Sequence, residues 1–495
     1  MSSVMRGLLG SLAGSLVLFA GCGETDVCAP EAESERIVYV HPPSRSGPDN
    51  NTVTSSFSTI QSALDAVGGE RGRATVCIAD GAYHEVLRVP ANTHVIAAGS
   101  VRIRPPQTRE DALPTQVDRV LLTLSTSPEG SIIMDGLDVR GGGLCVDSAG
   151  PGVAILRDMT VVDCAVGLRG RESTDLTLHQ VALEDHSIRG IDLVNATLRT
   201  ESRTTILRNG RPAPGHEQTE LNELDPEMGW VVGLTPGRGA LIASDSSVTL
   251  VDTNVDESEY RGGLLDITGG SLILRDVVLG VQRGPDNPEG FVAGEAGGDG
   301  PVILARGAEV DVHGLFARSE RQGLFALSEG TNVFARNVDW SGRAPTTSPE
   351  GAPGPAIEAS GGGSIVLWHA SLHGSEGAPG IRLSGEETVA LEVANTIVWG
   401  HGEGAGILFD GAQADLDVRY SLFQDTTVTG TQMIAATDPG WEDSAQGLTI
   451  AETSPARCAG AADLDVSADL VGNPRPFAVD KAPDLGAIEL QQTCL

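Results

Sequence analysis

The chain has 495 residues, with 63 glycines but only 9 Phe, 5 Trp and 4 Tyr, a composition that suits many short strands and tight turns better than one thick core. Its 33 basic and 67 acidic residues leave a net charge of −34, without the basic footprint that nucleic acid or an anionic lipid surface would attract. A mean hydropathy of −0.03 and the lack of a second long apolar run exclude a multi-spanning membrane protein.

In chain order, residues 1–21 hold Arg6, an apolar stretch from Leu8 to Phe19, and then Ala20-Gly21 before Cys22. This is too short for a stable transmembrane helix and reads as a secretion signal. LFAGC resembles the lipobox of bacterial lipoproteins, with Phe19 where leucine is usual; ordinary cleavage after Ala20 is the alternative. The resemblance implies export, lipidation at Cys22 and a cell-envelope protein held to the membrane by its lipid. Gly23 after that cysteine points to the outer membrane or cell surface. Residues 22–50, rich in Glu, Pro, Ser and Gly, read as a flexible tether.

FSTIQSALDAVGG at 57–69 predicts a short helix with Ser58 as N-cap, Gln61 completing a capping box, and Ile60, Leu64 and Val67 on its apolar face. Gly68-Gly69 stops it. Such a helix would cover the open edge of a first coil.

The next stretch is a repeat of about two dozen residues. An apolar-x-apolar-x run ends on an anchor at Asp135, Asp158, Gln180, Asp252, Asp276, Gly314, Asn337, His369, Asn395 and Tyr420. Anchor spacings are 23, 22, 72, 24, 38, 23, 32, 26 and 25, and 72 is taken as three units of 24. Insertions at 209–240, 284–300 and 341–355 account for the longer gaps. Gly-[Leu/Ile] pairs follow most anchors: Gly143-Leu144, Gly167-Leu168, Gly190-Ile191, Gly263-Leu264, Gly323-Leu324, Gly380-Ile381 and Gly406-Ile407. Each unit therefore predicts two strands with a turn between them, and only stacking of units can bury their apolar faces. Asp or Asn at a recurring bend suits left-handed backbone. The pattern predicts an all-β chain: a single-stranded right-handed parallel β-helix over 51–455, with an N-terminal capping helix and a C-terminal capping segment at 456–495. A β-propeller would need longer four-strand repeats.

Phe57 to Val89 resembles the N-terminal region of pectin-lyase-like β-helix proteins, in which a TIQ-A-DA helix precedes an ADG-Y-E turn. DPGW (438–441), SPARCAG (454–460), DLVGNPRP (469–476) and DLGAIEL (484–490) follow the order of a tail found on bacterial surface β-helix proteins. Arg457-Cys458 stands where that tail usually has Ile-Asp, and Ile488 where it has an aromatic residue. These resemblances imply fold and surface location, not a reaction.

Six cysteines remain beside Cys22, and six allow 15 pairings. Cys458 with Cys494 is favoured, a covalent closure at the position where the tail pattern has a polar aspartate. Cys28 with Cys77 and Cys145 with Cys164 follow. Export permits such bonds.

The catalytic motifs of enzymes with this fold are broken or missing. Gln424-Asp425-Thr426 opens a methylesterase-type motif that nothing completes, and Asp185-His186 is the nearest match to a lyase motif but lacks its tryptophan. The turn before each Gly-[Leu/Ile] forms one polar edge bearing Asp163, Asp185, His186, Glu320, Arg321, His373, Glu376, His401, Glu403 and Asp425. His373, Glu376, His401 and Glu403 are the best acid–base constellation on it. Asp252, Asp256, Glu257 and Glu259 offer at most a weak Ca²⁺ cluster, as do Asp463, Asp465 and Asp469; no other cofactor is expected. Trp368, Trp399 and Tyr420 are candidates for stacking on sugar rings, with cross-coil packing as the alternative. The expected function is a non-catalytic envelope protein that binds extracellular polysaccharide or another surface component. The alternative is a polysaccharide lyase or glycoside hydrolase with a non-standard site.

Overall fold

A computed structural model describes residues 28, 36–41, 56–68, 72–106, 120–209, 239–256, 263–283, 291–293, 300–319, 323–342, 354–374, 378–401, 406–424, 428–444, 447–464, 466–476 and 481–490. One coil shows the plan: Asp175–His179, a one-residue bend, Ala182–Glu184, a wider turn, then Arg189–Val194. Each strand pairs in parallel with its counterpart in the coils above and below. The result is three columns, here A, B and C, of a parallel β-helix wound in the right-handed sense that parallel crossovers take. A unit thus has three strands where two were expected, because the bend at the anchor divides what reads as one apolar run.

That bend is the backbone feature on which the coil turns. Nine of the ten expected anchors, Asp158, Gln180, Asp252, Asp276, Gly314, Asn337, His369, Asn395 and Tyr420, have φ between 46° and 81°. In the tenth unit the bend falls on Gly136 (φ 76°), one residue after Asp135. The gap from Gln180 to Asp252 holds two units where three were expected: Ser202 (φ 51°) is the one intervening bend, and insertion 210–238 belongs to the coil that follows. Left-handed backbone costs an ordinary residue roughly 1–2 kcal/mol, least for Asn and Asp and nothing for Gly.

Between the bends, alternate side chains point inward. In column A these include Leu156, Leu176, Leu178, Val248, Leu250, Leu272, Leu274, Ile365 and Leu367, all buried in one continuous core. Each contributes about 1.5–3 kcal/mol by leaving water.

The N-terminal helix, α1, spans Ile60–Val67 and buries Ile60, Ala63, Leu64 and Val67. Its N-cap is Thr59 rather than Ser58: the Thr59 hydroxyl accepts from the Ser62 N–H at 3.3 Å. Glu85, on the chain beyond the first coil, accepts from the Ile60 and Gln61 N–H groups at 3.0 Å each, a long-range cap that local spacing does not reveal. Gln61 instead accepts from the Arg88 N–H at 2.8 Å. The expected tether is shortened, because Arg36–Val40 pairs with Ala74–Ile78 as the first strand and Cys28 is disulfide-bonded to Cys77. A second disulfide joins Cys145 and Cys164.

The last strand of the stack is Leu422–Phe423, short of the expected 455; Thr431 and Ile434 add parallel bridges to Arg419 and Leu422, and an antiparallel hairpin, Trp441–Ser444 with Gly447–Ile450, follows. The terminal segment does not seal the last coil, where Phe409 and Leu416 stay 45% and 39% exposed. It runs back along the outer flank of column B. Ile450, Ala456 and Leu485 pack on Ile397 and Leu422, and Leu470 reaches Val278 and Phe316. Asn395 accepts from the Ala461 N–H (2.7 Å) and donates to its carbonyl (2.9 Å), and Asn337 donates to Ala468 (2.8 Å). Within the segment, buried Arg475 donates to the carbonyls of Asp484 (3.1 Å) and Gly486 (2.7 Å) and pairs with Glu489 (3.1 Å). Asp484 accepts from the Cys458 (2.6 Å) and Leu490 (2.8 Å) N–H groups. The GNPRP and DLGAIEL motifs are thus the two halves of one polar clasp. Cys458 is itself disulfide-bonded, and Cys494 lies outside the described residues.

Two substitutions probe these features. Gln180 is exposed, so Gln180→Val isolates the backbone and is expected to destabilise the chain by about 1–2 kcal/mol, whereas Gln180→Asn is near neutral in thermal unfolding. Arg475→Met strands Glu489 in the clasp and is expected to cost roughly 3–5 kcal/mol, with limited proteolysis cutting first in residues 440–490.

Candidate functional site

Side chains at outward positions of a solenoid strand ordinarily face water. On column C, several are charged and yet nearly enclosed. Register places Asp147, Arg169, Asp192, Ile242 and Asp266 in line on successive coils. A parallel row two residues on holds Ala149, Arg171, Val194, Ser244 and Thr268, with Arg306 next. Asp147 takes Arg169 at 2.9 Å and Arg171 at 3.3 Å, Arg189 pairs with Asp192 at 2.6 Å, and Arg306 with Asp266 at 2.7 Å. Relative exposure is 4% at Asp147, 1% at Arg189, 0% at Asp192 and 8% at Asp266. Further along, Arg382 lies between Glu358 (3.6 Å) and Asp410 (2.5 Å).

The charges are balanced within the strip. Burial pushes Asp147 up, but hydrogen bonds and charge from Arg169 and Arg171 outweigh it and hold the carboxyl below its usual range. At Asp266 the balance goes the other way: burial raises it despite Arg306 and Arg189. Burial also lowers Arg189, against the pull of Asp192. The strip is a row of fixed donors and acceptors one coil apart, about 4.8 Å.

The sequence points to a different place, the turn between columns B and C. His186 and His401 are there, but both point inward, 0% and 5% exposed. Each follows a left-handed residue, Asp185 (φ 57°) or Gly400 (φ 77°), which turns the next position into the core. At such corners the backbone N–H has no strand partner, and a side chain of the following coil supplies one. His186 Nδ1 accepts from the Cys164 N–H (3.3 Å), and Asn209 Oδ1 accepts from the His186 N–H (3.3 Å). Gln424 Oε1 accepts from Gly400 (2.8 Å) and His401 (3.1 Å). Both histidines are neutral: burial pushes His186 down to about 3, and burial with His373 nearby takes His401 to about 4.

Asp185 faces outward, held by Arg208 at 2.7 and 3.0 Å. His373 neighbours His401 and stands edge-on to Trp441, centroids 6.1 Å apart. Glu376, Glu403, Asp425, Glu320 and Arg321 lie outside the described residues. So do Glu257, Glu259 and Asp465; Asp252 is itself a left-handed bend that accepts from the Arg203 N–H (3.2 Å). The backbone of Asp256 closes a column B strand, Thr253–Asp256. Asp469 accepts N–H groups from Val471, Asn473 and Glu489, and Asp463 pairs with Arg419 at 3.5 Å. Among the described residues no group of three or more His, Cys, Asp or Glu could hold a metal ion. Trp368 packs edge-on to Phe334 at 5.0 Å and donates to Glu392 (3.0 Å), Trp399 joins the cluster beneath the terminal segment, and Tyr420 is a bend.

The strip on column C escapes a reading of periodicity because its residues follow Gly-[Leu/Ile] pairs that mark only strand starts. Gly167-Leu168-Arg169, Gly190-Ile191-Asp192 and Gly380-Ile381-Arg382 carry the signal, alternating acid and base at one outward position.

No protein-family model matches the chain, and no curated protein does. Among solved structures it is similar to pectate lyase Pel9A (11% identity over 92% of this chain and 97% of that one, TM-score 0.38). It is also similar to the A-module of the Azotobacter vinelandii mannuronan C-5 epimerase AlgE4 (12%, 72% and 94%, 0.32) and to the catalytic domain of a GH87 α-1,3-glucanase (10%, 72% and 67%, 0.28). The likeness is one of architecture.

The corner histidines set an acid limit. In the unfolded chain they protonate near 6.5, whereas in the fold they stay neutral to about 3 and 4. Their contribution is complete above pH 6.5 and is lost as pH falls through that window, at about 1.4 kcal/mol per unit for each histidine. Denaturant midpoints between pH 7 and 4 are expected to fall, with a shallower slope in His186→Gln and in His401→Gln.

Proposed function

We propose that this is an exported protein of the cell envelope, lipidated at Cys22, that binds a linear extracellular polysaccharide along column C without turning it over. The observation that carries the reading is the row of charges on column C in which Arg169, Arg171, Arg306 and Arg382 keep part of their side chains exposed (14%, 36%, 34% and 39%) while Asp147, Asp266 and Asp410 hold them in place. Paired carboxylates and guanidiniums present donors and acceptors in planes that sugar hydroxyls match, and fixing them beforehand lowers the entropy lost on binding. The coil spacing repeats these groups along one line, as an extended polymer repeats its own.

Binding without turnover is supported by the state of the groups. General acid–base chemistry calls for a titrating pair within reach of one bond. The arginines of the strip are committed to carboxylates, Asp147 is held ionised, and the two corner histidines are withdrawn into the core. A polysaccharide hydrolase or lyase is the second reading, and one observation favours it: Asp266, raised by burial, is the kind of carboxyl that can donate a proton.

A glycan array followed by reducing-end and unsaturated-product assays separates the two. Binding without product, weakened at least tenfold by Arg169→Ala, is the expected outcome. Turnover that disappears in Asp266→Asn would replace this reading with the second. The envelope assignment is checked by labelled palmitate, whose incorporation is expected to vanish in Cys22→Ala.

A further inference from the structure

The lipid proposed at Cys22 is separated from Cys28 by six residue steps, at most about 22 Å of fully extended chain. Cys28 is buried and disulfide-bonded to Cys77, on the strand next to the first coil. Of the 29 residues read as a tether, only the first few can therefore act as a leash. The stack rises from that point through successive parallel strands to Ala414–Arg419 in the last coil.

Charge is distributed unevenly along this axis. Residues 36–104, which span the first coils and their helix, contain seven arginines and five carboxylates. Residues 105–495 contain 25 basic and 57 acidic residues. Arg73, Arg88, Arg102 and Arg104 are exposed at the N-terminal end. Residues 23–35 carry five carboxylates and add no attraction to anionic lipid. Two constraints therefore act together: a short covalent leash at one end, and repulsion of the acidic body from an anionic surface within a Debye length, about 8–10 Å.

We propose that the β-helix stands end-on from an anionic lipid surface, with its N-terminal end, bearing Arg73, Arg88, Arg102 and Arg104, as the membrane-facing surface. This rests on the lipidation proposed above. Column C then runs away from the membrane.

The test uses full-length lipidated protein in vesicles of phosphatidylethanolamine and phosphatidylglycerol with a lipid-phase energy acceptor. Donor dyes are placed at Ser100→Cys or Gln413→Cys, both exposed sites, about 50 Å apart along the axis at eleven coil spacings. Transfer several-fold stronger from position 100 than from 413 is expected, and the contrast should shrink in Cys28→Ser/Cys77→Ser, whose leash extends to Arg36. Equal transfer from both positions, or stronger transfer from 413, in protein whose Cys22 acylation is verified by mass spectrometry overturns the posture alone. Absence of acyl chains from Cys22 overturns anchor and posture together.

Discussion

From Gly136 onward, every described coil of this protein depends on a residue that bends the backbone into the left-handed region. Without that bend, columns A and B would be one straight strand and the chain could not close a turn in about two dozen residues. The bend is cheap at Gly136 and Gly314, mildly unfavourable at Asp158, Asn337 or Asn395, and least favourable at His369 and Tyr420. The larger side chains are tolerated because stacking, not local preference, decides. Bends are held by backbone hydrogen bonds to the neighbouring coil, as from Asp158 to His179 (2.9 Å) and from Gln180 to Ser202 (3.0 Å).

The bend has a second effect, on polarity inside the core. The residue after it points inward with an N–H that no strand partner can satisfy, and the same position in the next coil answers it. Thr396 accepts from the Ala370 N–H (3.3 Å) and Ser421 from that of Thr396 (3.2 Å); left-handed residues at the other two corners act alike, Ser246 accepting from Ala196 (3.1 Å) and His186 from Cys164 (3.3 Å). Serine, threonine, asparagine and histidine are interchangeable in this duty. His186 and His401 lie at inward corner positions, and their burial is what keeps them uncharged.

Stacking also explains where variation is allowed. From Gly136 onward the described turns between columns A and B centre on one left-handed position and carry no insertion, since an addition would break the column of bends; the coil before it has Ala97–Ser100 opposite Gly136. The turn between B and C absorbs the insertions 210–238 and 284–290, along with other long stretches, all on one edge. The terminal segment uses the remaining flank, laying Asp469, Arg475, Asp484 and Glu489 into a closed network against column B. The charged strip lies on column C, the flank that the network of the terminal segment does not use.

The sequence by itself determined the architecture. Apolar alternation, a bend-tolerant residue every two dozen positions and recurring Gly-[Leu/Ile] pairs specify a stack of parallel coils, because each is a local requirement repeated many times. Legible for the same reason were the helix that begins the stack and the order of the terminal motifs. Tertiary structure alone decided which polar residues face water. Asp185 and His186 are neighbours in the chain, yet one binds Arg208 at the surface and the other disappears into the core. Arg189 and Asp192 sit at outward strand positions and are nevertheless enclosed. Inside or outside at a corner is set by one dihedral angle and by the coil above it, and the enclosure of a charge is set by segments distant in sequence. Periodicity carries neither.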